Sequence, residues 1–294
     1  MAQTFLVTGA GGQLGRSVLE LLLQQKPGKL VATTRNPDKL ADFARRGVEV
    51  RKADFNDPAS LADAFSGADR LLLVSTDELA VPGKRLIQHR AAVAAAEKAG
   101  IKHVVYTSAP ATHPNAPGSL IDDHFWTEQA LIAAKLDWTI LRNHLYTDLL
   151  LMGLPHAVAT GQLFTATGTR GRNYVTREDC ARTAAAALTS AAGKQILDVN
   201  GPAPVTQDEI AAIAGEVTGK TVTHIAVSPD DLRKGMAGAG LPPFLIDVLV
   251  NFDIDASRGY HAINAPTVKT LTGRDPSNVR AFLTEHRAAL LAGH

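Results

Sequence analysis

Phe5-Leu-Val-Thr-Gly-Ala-Gly-Gly-Gln-Leu-Gly-Arg-Ser-Val-Leu-Glu-Leu-Leu-Leu23 decides the fold. The apolar run Phe5–Thr8 reads as a buried strand. After it, Leu14, Val18, Leu21 and Leu22 recur at helical spacing. Between the two, Gly9, Gly12 and Gly15 form G-x-x-G-x-x-G. The first permits a tight turn out of the strand. The second lets backbone approach a pyrophosphate, and the third lets the helix pack close to the sheet. The helix start adds unpaired N–H donors and a partial positive charge. Gly11 is a further permissive position. A glycine turn without a ligand is the alternative, and the strand-then-helix setting disfavours it.

Outward from this stretch, short apolar runs alternate with helical ones. Leu30–Thr34, Val48–Lys52, Leu71–Ser75, His103–Ser108 and Trp138–Leu141 read as strands. Asn36 before Pro37 and Asp57 before Pro58 are cap-then-proline helix starts; Gly47 and Gly67 are helix stops. The alternation predicts an α/β fold with a doubly wound parallel sheet, which binds ligands along the carboxyl ends of its strands. Residues 1–150 read as the dinucleotide-binding domain. Residues 151–294 read as a smaller C-terminal α/β substrate lobe, with some segments returning to the sheet. In this lobe Gln162–Thr165, Gln195–Val199 and Val222–Val227 look like strands. Thr206-Gln-Asp-Glu209 is a capping box whose helix ends near Gly219. Gly238–Pro243 reads as a connection, and Asp275-Pro-Ser-Asn starts a last helix running to the end. Gly215-Glu-Val-Thr-Gly-Lys-Thr221 resembles a P-loop, but it has three residues between its glycines and lies at a helix end.

The totals narrow the function classes. The 294 residues are 45% hydrophobic and 20% charged, with formal net charge +1. No global field favours nucleic acid or an anionic membrane. No run of apolar residues is long enough for a membrane span, and no signal peptide pattern is present. A soluble cytoplasmic protein is expected. The single cysteine, Cys180, excludes an intramolecular disulfide framework and reads as a small packed thiol in an Ala-rich helix. No H-E-x-x-H pair or second cysteine supports a metal site, and no G-x-S-x-G supports the common α/β-hydrolase arrangement. A homodimer is compatible with the chain, although nothing in the sequence sets the oligomeric state.

The second strand ends in Thr34-Arg35-Asn36, without the Asp or Glu that binds a ribose 2′-OH in NAD sites. Arg35 could pair with a 2′-phosphate instead, which points to NADP(H); the alternative is an arginine on a solvated helix cap. Asp54 and Phe55 follow the third strand. They could meet the adenine, or serve as a turn leading into a helix.

Taken in order, Val7-Thr-Gly-Ala-Gly-Gly-Gln-Leu-Gly15, Thr34-Arg-Asn-Pro37, Gly47-Val-Glu-Val50, Ala53-Asp-Phe55, Tyr106-Thr-Ser108, His124–Glu128 and Leu141-Arg-Asn-His-Leu-Tyr-Thr-Asp148 resemble the NmrA-like branch of atypical short-chain dehydrogenases. Leu271-Thr-Gly-Arg-Asp-Pro276 also suits that family. The resemblance spans nearly the whole chain and is strongest to type-2 NAD(P)H:quinone oxidoreductases and triphenylmethane reductase. It implies a Rossmann-like domain, NADP(H), and hydride delivery to a small aromatic, quinone-like or dye-like acceptor. By the same resemblance, Gly9, Gly12, Gln13, Leu14, Gly15 and Arg35 would bind the adenine-side phosphates. Ser75 and Thr76 would lie by the cofactor ribose, and Thr107 and Ser108 on the nicotinamide side. Asn143 and Tyr146 would shape the substrate cleft, although Asn143 could equally tie down the loop after its strand.

Ordinary short-chain dehydrogenases use Tyr-x-x-x-Lys as acid–base machinery. None of Tyr106, Tyr146, Tyr174 or Tyr260 has Lys four residues later. The polar candidates on the corresponding helix are His124 and Glu128, one helical face apart by four residues. His124 is the candidate proton donor; the alternative is a structural histidine orienting the loop Pro110–Leu120 or the substrate. Without Tyr–Lys, ketone reduction is disfavoured, whereas a quinone or cationic dye delocalises the charge left by hydride. A non-catalytic NADP(H) redox sensor that regulates a protein partner is the alternative function.

Overall fold

The apolar run before the glycines forms β1 (Thr4–Val7), buried along its whole length. It leads into α1 (Gln13–Gln25), whose buried positions are Leu14, Gly15, Val18, Leu19 and Leu22. Leu19 therefore takes the inward place expected for Leu21. β2 (Lys29–Thr34) follows, then a short 3₁₀ turn capped by Asn36, α2 (Ala41–Ala44), β3 (Glu49–Lys52) and α3 (Pro58–Phe65) capped by Asp57. β4 (Arg70–Leu73), α4 (Lys84–Lys98), β5 (His103–Ser108), α5 (Leu120–Ala133) and β6 (Asp137–Asn143) continue the alternation.

The computed structural model describes residues 3–292. Later elements are β7 (Leu145–Tyr146), α6 (Leu150–Thr160), β8 (Gln162–Thr165), β9 (Tyr174–Val175), α7 (Arg177–Ser190) and β10 (Lys194–Val199). After them come α8 (Gln207–Thr218), β11 (Thr223–Ala226), α9 (Pro229–Gly238), α10 (Pro243–Ser257), α11 (Thr267–Thr272), α12 (Val279–Glu285) and α13 (Arg287–Leu291).

The central seven-stranded parallel sheet runs in the order β10-β6-β5-β4-β1-β2-β3. From β1 the chain winds outward through β2 and β3, then returns to β4 on the other side of β1. That reversal creates the crevice where such sheets take their ligands. One face buries Leu6, Leu61, Phe65, Leu71, Leu73, Val104, Tyr106, Leu131 and Ile140. Each large apolar chain buried there contributes about 1.5–3 kcal/mol against exposure.

The chain divides into two units. The first comprises Met1–Arg142, Cys180–Leu197 and Thr270–Gly273; the second comprises Asn143–Asp179, Asp198–Lys269 and Arg274–His294. Arg70 explains part of the first grouping. Its guanidinium donates to the carbonyls of Ala187, Leu188 and Ala191, closing the carboxyl end of α7. Cys180 is wholly buried on that helix. The second unit has a core of Leu154, Val158, Ile210, Ala214, Phe282, Leu283 and Leu290, and a smaller cluster of Ala166, Leu232, Ile246 and Val250. Thr206 and Glu209 make the expected capping box, and Gly219 ends α8 in the left-handed region. The last helix is not continuous from Asp275: Asn278 caps α12, which breaks at His286 before α13.

Candidate functional site

The glycine loop is built to hold an anion. A Cβ on Gly15 would stand 2.4 Å from the Gly9 carbonyl oxygen, so α1 reaches this close to the loop only with glycine there. Gly9 has φ +60, which few side chains tolerate. Gly12 caps α1 with no side-chain hydrogen bond. The first-turn N–H groups of Gln13 and Leu14 thus have no intrahelical acceptor and sit beside exposed Gly9, Gly11 and Gly12. The cradle fits a pyrophosphate by its own geometry.

Arg35, at the end of β2, is exposed and has no side-chain partner among the described residues. Its neighbours differ: Arg16 pairs with Asp42 at 2.6 Å and Arg46 with Glu20. Asp54 is engaged in a turn, accepting from the backbone and side chain of Asn56 at 2.9 and 3.1 Å. Phe55 packs against the apolar core.

Past β4 and at the end of β5, the named residues are tied together. The Thr107 hydroxyl accepts from the Ser75 N–H at 2.9 Å. Thr76 is gripped by α4: its N–H donates to His89 Nε2 at 3.0 Å, and its carbonyl accepts from Arg85 Nε at 2.8 Å. Ser108 donates to Glu128 Oε1 at 2.6 Å.

His124 lies behind these strands and is only 4% exposed. Arg85 Nη2 faces its Nε2 at 2.9 Å, and Tyr106 Oη faces its Nδ1 at 2.8 Å. A guanidinium only donates, so Nε2 accepts and Nδ1 carries the proton. His89 is fixed likewise, with Nδ1–H toward Thr127 Oγ1 at 3.0 Å. Burial, reinforced by Arg85, pushes both histidines well below the usual imidazole range. Burial also pushes the Tyr106 phenol up. A neutral imidazole whose free lone pair meets an arginine has no proton to offer a ligand.

Glu128, four residues on, holds a different network. Arg142 approaches it in bidentate fashion, Nε to Oε1 at 3.0 Å and Nη2 to Oε2 at 2.6 Å. Thr112 in the loop after β5 donates to Oε2 at 3.0 Å. Arg85, His89 and Arg142 escaped the sequence reading. α4 carries no clear apolar stripe to mark its inward face, and Arg142, just past the run Trp138–Leu141, enters only within the Leu141–Asp148 stretch of the family resemblance, with no role of its own.

In the second unit, Asn143 is 7% exposed and donates from Nδ2 to Tyr146 Oη at 3.4 Å. Its Oδ1 is buried with no partner. Arg177 lies over the Tyr146 ring at 5.1 Å and pairs with Asp148. Among the described residues there is no cluster of three or more His, Cys, Asp or Glu able to hold a metal ion. No helix there is long and apolar enough to cross a membrane.

A family model described as NAD(P)H-binding matches residues 9–191. Quinone oxidoreductase 2 of Escherichia coli K12 is 35% identical over 95% of this chain and 97% of its own. The NAD(P)H azoreductase of Xenophilus azovorans is 28% identical, covering 97% of this chain and 98% of its own. The crystal structure of Citrobacter sp. triphenylmethane reductase with NADP(H) superposes with TM-score 0.88 at 32% identity, over 96% of this chain and 99% of that one. The chain belongs to the NAD(P)H-binding family and is an NADP(H)-dependent oxidoreductase of its NmrA-like branch.

Proposed function

We propose that the protein transfers hydride to a quinone or a conjugated dye-like acceptor, and does so without a Tyr-x-x-x-Lys pair. One observation carries this reading: the Ser108 hydroxyl at the end of β5 and the His124 imidazole behind it both have their protons committed within the protein. Ser108 donates to Glu128, and the histidine behind it is neutral and faces Arg85. Neither the serine nor the histidine then offers an acid to the alkoxide of a reduced ketone, and no Tyr-x-x-x-Lys pair replaces them. A quinone, azo or triphenylmethane acceptor spreads the incoming charge over its own π-system. The names of the relatives agree with acceptors of this kind.

Bound NADPH supplies the hydride. Gly9, Gly12, Gln13, Leu14 and Gly15 hold its pyrophosphate, and Arg35 its 2′-phosphate. Ser75 and Thr76 take the ribose, and Thr107 and Ser108 the nicotinamide side. Asp54 and Phe55 border the adenine, with Asp54 also keeping its turn. His124 is assigned a positioning role, since it holds Arg85 against Thr76, in place of the expected proton donor.

The test follows NADPH oxidation spectrophotometrically with benzoquinones, naphthoquinones, azo dyes, triphenylmethane dyes and simple ketones. Turnover with conjugated acceptors and not with ketones is expected. Equal turnover of ketones would overturn the reading. Tight NADPH binding without oxidation by any acceptor would favour a redox sensor acting on a protein partner.

A further inference from the structure

Glu128 is 1% exposed, and its carboxylate is surrounded by donors. Ser108 and Arg142 Nε reach Oε1; Thr112 and Arg142 Nη2 reach Oε2. The bidentate arginine fixes the plane of the carboxylate, so it cannot swing away from Ser108. A carboxylate only accepts, and a serine has one hydroxyl proton. That proton is directed inward at 2.6 Å, and only the lone pairs of Ser108 remain for a ligand. A short-chain dehydrogenase lysine at this helical position would leave the opposite polarity.

We propose that Glu128 is a positioning residue that sets the polarity of Ser108: the carboxyl end of β5 reads a hydrogen-bond donor on its ligand and supplies none. The inference rests on the placement of Ser108 at the nicotinamide side. The donor recognised there is an amide N–H, which the nicotinamide carboxamide carries and an acetyl group in its place does not. The same carboxylate pins the following loop through Thr112. A second tie, from the Asn115 N–H to Asp122 Oδ1 at 3.0 Å, holds that loop to the start of α5.

The experiment is a fluorescence binding titration of the full chain with NADPH and with its reduced acetylpyridine analogue. The wild type should bind the analogue about fivefold more weakly, the size of one hydrogen bond. Ser108→Ala should bind both equally, and Ser108→Thr should keep the difference. Glu128→Met keeps the length of the side chain but removes the acceptor of the Ser108 proton, which is then free to serve a carbonyl; the difference should shrink. Thr112→Val loosens the loop without touching Ser108 and should keep it. Equal affinities in the wild type, an undiminished difference in Ser108→Ala, or an undiminished difference in Glu128→Met each overturn the proposal. Should Glu128→Met fail to fold, an undiminished difference in Ser108→Ala still overturns it. These binding results are independent of turnover, so failure of the acceptor screen would sink the hydride-transfer reading and leave this one standing.

Discussion

Arg35 stands at the end of β2 with its guanidinium in solvent and no carboxylate to neutralise it, while Arg16 and Arg46 nearby are both paired. An unpaired planar cation at the place where dinucleotide sites read the ribose favours a phosphate there. Arg35→Ala should raise the Kd for NADPH about tenfold to a hundredfold, the worth of a charged hydrogen bond, and leave that for NADH unchanged. Parallel titrations with the two nucleotides check this; equal weakening of both would assign Arg35 a structural role. At this scale the sequence was informative where a residue type has one plausible use. Arg35 and the glycines are such cases. His124 was not, because its role depends on what lies opposite each ring nitrogen. Arg85 and Tyr106 are 39 and 18 residues away in the chain, and no local pattern reports them.

Elements were legible in proportion to how locally they are specified. The strands of the central sheet are legible to within two residues at their ends: β1, β2, β4, β5 and β6 are largely buried runs, whereas the edge strands β3 and β10 are half-exposed and stand out by their place in the alternation. α8 was read from its capping box alone. α9 carries the same kind of signal, Ser228 before Pro229, with the serine accepting from the Asp231 N–H. Gly235, Gly238 and Gly240 in and just past its carboxyl half weaken the helical pattern, so the cap is its main local signal. α6 and α10 hid for another reason. Pro155 lies inside α6, and Pro242-Pro243 opens α10, so prolines that usually end helices masked both. α6 is held by tertiary packing of Leu154 and Val158, which a sequence window cannot see. The two-residue strands β7 and β9 exist only by pairing with each other. For α8, the box predicts its own energetics: Thr206→Ala removes the acceptor for the Glu209 N–H and should cost about 1 kcal/mol. A urea melt should show that loss, and Thr206→Ser should restore the midpoint. No change in Thr206→Ala would mean that packing alone holds the helix start.

At the scale of the whole molecule, burying neutral imidazoles shapes stability against acid. Burial holds His103 at about 4 and His261 at about 3, with Arg70 beside the first and Arg172 and His144 beside the second adding to the effect. His89 and His124 lie well below their ordinary value for the same first reason. In the unfolded chain all of them titrate near 6.5. Their folded values are depressed, so the stabilisation is present above about pH 6.5 and is lost as pH falls toward the folded values. Each such histidine contributes a slope of about 1.4 kcal/mol per pH unit once the unfolded imidazole is protonated. Carboxylates act lower: Glu49, held at about 2 by hydrogen bonds from Arg51 and Lys29, begins to matter only below about pH 4.5. Asp123, raised by burial, opposes the trend slightly in that lower range. The urea midpoint should therefore fall between about pH 7 and pH 5, before the carboxylates titrate. His103→Gln keeps a hydrogen-bonding group against Thr139 and removes one titrating site, so it should flatten that slope whatever it does to the absolute midpoint. Urea melts at several pH values on both proteins give the comparison. A midpoint independent of pH across this window, or a slope unchanged by His103→Gln, would show that the buried histidines take up protons in the folded state as readily as in the unfolded one.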